Sequence, residues 1–307
     1  MRIGIIGAGG IGGYFGGRLA AAGNDVVFLA RGANLEALRA DGLRVHSPRG
    51  DLGLAVTATD DPAAAAGCEA VLFCVKGYAT EGALPAVDAM LSPTGFVVCL
   101  QNGVGGVERV AAAAGRGRTL GGAAYISCHM RAPGVLEHVP GPAGFVVGEL
   151  DGGPSPRADG LAEVARAAGI DAEVSADVRT LLWAKLGLIC GLAGATAATR
   201  LPIGEVRAVA GSRAVLRALI AETAAVGRAA GAALAPDYVE GTLAMLDAVG
   251  PGMVSSLYED LVHGRPMELD ELHGEVLRRA AAHGVDVPVT RTVHGVLEPW
   301  ARRAGGR

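Results

Sequence analysis

Short apolar runs alternate with Ala- and Gly-rich stretches through the first half of this chain. The runs RIGIIG (2–7), DVVFLA (25–30), EAVLFCVK (69–76) and GFVVCLQNG (95–103) are rich in β-branched and aromatic residues and read as strands. A helix is predicted over 10–22, and a helical stretch follows each of the later strands. Strands that alternate with helices imply a parallel sheet covered on both faces. From about 118 to 148 the pattern changes to runs joined by turns, GAAYISC, GVLEHV and GFVVGE. These are predicted to extend the sheet in antiparallel fashion. A helix over 157–168 and a short strand at 171–174 close this half. From about Ala176 the two-residue period stops, and helices are predicted over 178–198, 204–210, 212–231, 236–248, 254–263, 268–283 and 289–303. The expected fold class is therefore α/β, with a doubly wound domain over 1–175 and an all-helical domain over 176–307. A change of period marks the boundary, with no linker. A cleft between two such domains is where small-molecule sites usually form.

Composition narrows the function. The 307 residues are 50% hydrophobic, with mean hydropathy +0.36, enough to bury a core in each domain. A formal net charge of −4 argues against nucleic acid or an anionic membrane as the main partner. Five cysteines, with no CxxC pair, read as small core hydrophobes in a reducing compartment. The N-terminus MRIGIIGAGG enters directly into a strand and carries no signal-peptide pattern, so a cytoplasmic location is expected. The seven histidines show no metal-site spacing, and no metal is expected.

One apolar run, LLWAKLGLICGLAG (181–194), is long enough to suggest a membrane span but holds a central lysine, which lipid would penalise. A buried helix of a soluble domain fits better. Lysine occurs in this chain only at Lys76 and Lys185; every other basic side chain is arginine. Arginine stays charged, whereas a desolvated lysine can trade a proton. Lys185 has Leu181, Leu182, Leu188 and Ile189 at three and four positions, so any counter-charge must come from another element.

GAGGIG (7–12) follows the first strand and opens a helix, the context that makes a GxGxxG run a dinucleotide-binding loop and the domain Rossmann-like. Gly7 allows the tight turn, Gly9 lets backbone approach a pyrophosphate, and Gly12 lets helix and strand pack closely. Ala8, Gly10 and Ile11 complete the loop. At the end of the second strand, where NAD-binding chains carry an acid, stands Arg31, which suits a 2′-phosphate and hence NADP(H). Lys76 ends the third such strand, at the crevice side of a doubly wound sheet. The only glutamine, Gln101, and one of three asparagines, Asn102, end the fourth. These two amides can serve a ligand or simply form an Asn-Gly turn.

These motifs together resemble the ketopantoate reductase family over nearly the whole chain. The resemblance rests on GAGGIG, CVK (74–76), LQNGVG (100–105), WAKL (183–186) and SSLYEDLVHGRPMELDELHG (255–274). It implies NADPH-dependent reduction of a 2-oxo acid to a 2-hydroxy acid, with Lys185 as proton donor. It further implies that Asn102 touches cofactor and substrate, that Ser256 binds substrate, and that Glu268 lies at the cofactor and active site. Met130 would meet the cofactor through its backbone. The residues themselves allow blander roles: Lys185 as a snorkelling chain, Glu268 as a helix-dipole partner and Ser256 as a helix cap. His129 is a weaker alternative acid.

The chain departs from the family where asparagines are usual around the substrate. Ile189, Ala193, Ile203 and Met253 stand in those places. A site that has lost such amides no longer reads a substrate hydroxyl. The expected substrate is therefore a 2-oxo acid or related ketone more apolar than ketopantoate, with an ordinary 2-dehydropantoate 2-reductase of pantothenate synthesis and a non-catalytic NADP(H)-binding sensor as rival readings. Gly187 and Gly191 leave a bare helix face that can pack inside the domain or against a second copy, as in a homodimer.

Overall fold

In the computed structural model, which describes residues 1–305, the chain forms two compact units. The first comprises Met1–Gln101 and Gly106–Val178; the second comprises Asn102–Gly105 and the chain from Arg179 onward. The short piece Asn102–Gly105, at the end of a sheet strand in sequence, belongs with the helices.

The first unit is built on one ten-stranded sheet: β1 (Arg2–Ile6), β2 (Asp25–Leu29), β3 (Leu43–His46), β4 (Leu52–Leu54), β5 (Thr57–Thr59), β6 (Cys68–Phe73), β7 (Leu91–Cys99), β8 (Thr119–Ala132), β9 (Val135–Glu149) and β10 (Asp171–Val174). The order is β4-β3-β9-β8-β7-β6-β1-β2-β5, with β10 also paired to β9. The β7-β6-β1-β2-β5 half is parallel throughout, while β8–β9 and β3–β4 are antiparallel. The expected α/β class and antiparallel extension are thus present. The 134–139 and 144–149 runs are one continuous strand, β9, because β8 offers it a ladder along most of its length. The short strands β3, β4 and β5 were not expected; three or four residues are too few to show a period.

Strands β6 and β7 stop at Phe73 and Cys99, earlier than their apolar runs. Lys76 and Asn102 therefore sit in the turns beyond the strand ends. Helix Gly10–Ala21 lies on the sheet through Tyr14, Phe15 and Leu19, all fully buried, with Ile3, Ile5, Phe28 and Phe145 in the same core. Gly16 is bare because a Cβ there would lie 2.5 Å from the Phe28 ring.

The second unit is helical. Helix Val178–Thr199 is long and apolar enough to cross a bilayer, yet Trp183, Leu186, Cys190, Ala193 and Ala197 are all buried in the protein. The two glycines on its bare face are filled from within the unit. A Cβ on Gly187 would meet the Tyr238 hydroxyl, and one on Gly191 would meet Ile220 at 2.5 Å. The helix expected over 268–283 opens instead with a π-helical turn, Asp270–Gly274, before Glu275–His283 continues as α-helix. Such wide turns occur often at functional sites.

Candidate active site

The glycine loop runs from the end of β1 into helix Gly10–Ala21. Gly7 has φ +99°, a left-handed conformation that a side chain would strain. Gly9 caps the helix in extended conformation, with no side-chain hydrogen bond to the first turn and no acidic residue in it. A Cβ on Gly9 would meet nothing within 4 Å. Its neighbours are the opposite case. A Cβ on Gly10 would overlap the Cys128 carbonyl, and one on Gly12 would overlap the Gly7 carbonyl. Open space over Gly9, unopposed helix amides and no competing carboxylate together fit a pyrophosphate. The approach of Cys128 also brings β8, and with it Met130 two residues on, beside the loop; Met130 is exposed.

Arg31 is exposed and caps helix Gly32–Ala40, at the mouth of β2. One turn into that helix, Asn34 was missed by sequence reasoning. Its Nδ2 donates to the Ala8 carbonyl at 3.1 Å, and its Oδ1 accepts from the Gly134 amide at 2.9 Å. It ties the glycine loop to the β8–β9 turn. Asparagine spaced three from Arg31 carries no signal of this, because the partners lie far away in sequence. Lys76 is exposed in the turn after β6. Gln101 holds that turn from below, its Nε2 donating to the Val75 carbonyl at 2.9 Å and to Thr80 Oγ1 at 2.8 Å. Its amide is engaged inside the protein, so of the two amides at this strand mouth only Asn102 faces a charged group. His129 is exposed and lies opposite Glu137 across the β8–β9 ladder, its Nε2 3.9 Å from the carboxylate.

In the helical unit, Lys185 is buried, and its Nζ donates to Asn102 Oδ1 at 2.9 Å. Burial drives its ammonium down to about 8 from 10.5, while the Glu268 carboxylate acts in the opposite direction. Glu268 is itself only 5% exposed and lies two residues before the π-helical turn. Asn102 is seated against that same turn: Gly103, at φ +93°, leaves no room for a Cβ, which would lie 2.8 Å from the Glu271 carbonyl. Three elements distant in sequence therefore bring an amide, an ammonium and a carboxylate to one place.

Ser256 is exposed at the start of helix Ser256–Val262. The cap is its neighbour Ser255, whose Oγ accepts from the Tyr258 amide at 3.0 Å and lies 2.9 Å from Thr196 Oγ1. The Ser256 hydroxyl is thus not the capping group. Of the four apolar residues at asparagine positions, Ala193 and Ile203 are sealed in the cores, Ile189 is half-buried and Met253 is exposed. The described residues contain no group of His, Cys, Asp or Glu able to hold a metal, and all five cysteines are free.

Comparison with known proteins identifies the family. The N-terminal model of ketopantoate reductase PanE/ApbA matches residues 3–152, and the C-terminal model of the same family matches 177–300. A 2-dehydropantoate 2-reductase of Mesorhizobium japonicum is 33% identical over 318 residues, covering 97% of this chain and 96% of its own. An uncharacterized oxidoreductase of Bacillus subtilis, YkpB, is 29% identical over 303 residues, covering 98% and 99%. The crystal structure of a PanE/ApbA family ketopantoate reductase from Ralstonia eutropha superposes with a TM-score of 0.91 at 34% identity, covering 99% of this chain and 100% of that one.

Proposed function

Because the chain belongs to the ketopantoate reductase family of oxidoreductases, we propose that it reduces a 2-oxo acid or related ketone to the alcohol with NADPH, and that its substrate is more apolar than ketopantoate. The observation that carries this reading is the buried Lys185, bonded to Asn102 and offset by Glu268. A lysine lowered to about 8 remains mostly charged at neutral pH and yet yields its proton readily. Its charge polarises the substrate carbonyl and then protonates the oxygen as the alkoxide forms. Asn102 aims the ammonium through Oδ1, and Glu268 keeps it charged until the carbonyl is in place. The Ser256 hydroxyl is available to the substrate's polar end.

The nicotinamide cofactor supplies the hydride when bound. Its pyrophosphate would be held by the Gly7, Ala8, Gly9, Gly10, Ile11 and Gly12 backbone, its 2′-phosphate by Arg31, and its ribose or phosphates by Lys76. Asn102, Glu268 and the Met130 backbone would complete its contacts. Preference for NADPH over NADH rests on Arg31 standing where an acid would serve a free 2′-hydroxyl.

The apolar-substrate reading rests on Ile189 and Met253. Ile189 stands one helical turn from Lys185, and Met253 precedes Ser256 by three residues. Neither offers a hydrogen bond to a hydroxyl. The test is NADPH oxidation by the purified protein over a panel of 2-oxo acids and ketones, ketopantoate included, with Lys185→Ala alongside. Lys185-dependent turnover with higher kcat/KM on branched or aromatic 2-oxo acids is the expected result. Equal or better turnover of ketopantoate would make this an ordinary 2-dehydropantoate 2-reductase. Turnover untouched by Lys185→Ala would remove the proton donor from the reading.

A further inference from the structure

His273 is the fourth residue of the π-helical turn and is wholly inaccessible to solvent. Its Nε2 lies 3.1 Å from the Cys190 carbonyl, on the helix that carries Lys185. Cys190 follows Lys185 by five residues, about 7.5 Å along the helix axis. The seat for the ring is built into that helix. A Cβ on Gly194 would lie 2.7 Å from His273 Nε2, so any larger residue there would expel the imidazole. The other ring nitrogen, Nδ1, is buried with no hydrogen-bond partner.

This is a costly way to fill a core. Burial pushes the ring down to about 4, so it is neutral, and a neutral imidazole with one nitrogen unsatisfied is worse for stability than a leucine of similar volume. What the histidine provides is a directional bond, Nε2–H to a carbonyl, between two particular elements. One is the helix of Lys185. The other is the turn that follows Glu268, whose carbonyl accepts from the Leu272 amide at 3.2 Å, and against which Gly103 seats Asn102. A second histidine, His294 of helix Pro288–Ala304, fastens the turn's first residue through Asp270 Oδ1 at 3.0 Å.

We propose that His273 is a positioning residue: its bond to the Cys190 carbonyl sets the separation between the Lys185 ammonium and the Glu268 carboxylate. The inference rests on the catalytic reading of Lys185, so its test reads that lysine directly and without substrate. The chain has two lysines, so protein labelled with [13C]lysine gives two Cε signals, and Lys76→Arg assigns them. Titration of the wild type is expected to place Lys185 near 8. His273→Leu removes the bond, lets the carboxylate draw back, and is expected to lower that midpoint by about one pH unit. It is also expected to lower Lys185-dependent kcat about tenfold. His273→Gln, whose Nε2 reaches the same carbonyl, restores both.

A folded His273→Leu protein with an unmoved midpoint would overturn the proposal, as would a Gln variant as impaired as the Leu variant. Should His273→Leu not fold, Gly194→Ala presses on Nε2 from the same helix that carries Cys190, disturbs the same bond, and carries the same expectation and the same refutation. A wild-type Lys185 titrating at the ordinary lysine value would instead overturn the reading of Lys185 itself, and this inference with it.

Discussion

Replacing Lys185 with methionine tests its burial by thermodynamics alone. In the native protein the ammonium titrates near 8, whereas in the unfolded chain it titrates near 10.5. Between those values the unfolded chain binds more protons than the native one, so native stability must rise with pH across that window. The full shift corresponds to about 3 kcal/mol, at about 1.4 kcal/mol per pH unit. Methionine cannot titrate, so it lacks this dependence. The methionine variant also leaves Asn102 and Glu268 without their partner, so the size of the difference at any one pH carries that cost too, and its slope with pH carries the test. The quantity to measure is therefore the difference in unfolding free energy between wild type and Lys185→Met, by urea denaturation at pH 7, 8, 9 and 10. It should move by about 2 to 3 kcal/mol in favour of the wild type over that range, because most of the two titrations falls inside it. Groups that titrate alike in both proteins cancel. A difference that stays constant would mean Lys185 ionises as an ordinary surface lysine, and the proton-donor reading would fall with it.

Other outcomes separate ligand roles from structural ones. Gly9→Ala should leave thermal stability unchanged, since its Cβ enters open space, while weakening NADPH binding at least tenfold in a fluorescence titration. Gly10→Ala should lower thermal stability as well, because its Cβ would overlap the Cys128 carbonyl. Arg31→Ala should raise KM for NADPH about tenfold or more and leave KM for NADH within twofold; equal effects on both would refute its assignment to the 2′-phosphate. Ser255→Ala should destabilise the protein by about 1 kcal/mol through loss of a helix cap, with substrate KM little changed. Ser256→Ala should do the opposite, raising substrate KM with stability intact.

Much of the molecule can be read before folding because it depends on local period. Alternating runs and helices announce the doubly wound sheet, and the end of that alternation near Ala176 announces the helical half. Local chemistry is equally legible. GAGGIG is a loop whatever surrounds it, and an isolated lysine inside LLWAKLGLICGLAG must be held by something. What could not be read is the identity of most holders. Ser255 takes the cap that Ser256 could have taken, because only the three-dimensional turn decides which hydroxyl faces the Tyr258 amide. Gln101 bonds inward to Val75 and Thr80, although nothing in LQNGVG distinguishes its amide from that of Asn102.

The sequence alone determined the longer elements, the fold class and the types of group available for chemistry, since these follow from period, propensity and side-chain pKa within a few residues. Tertiary structure decided everything that depends on contacts between distant segments. It placed Asn102 with the helices instead of the sheet and removed Lys185 from water. It also buried Ala193 and Ile203, while leaving Met253 exposed, and widened the chain at Asp270–Gly274, where His273 meets Cys190. Hydrogen bonds and desolvation act through space, and no spacing along the chain encodes which far-off carbonyl a buried imidazole will meet.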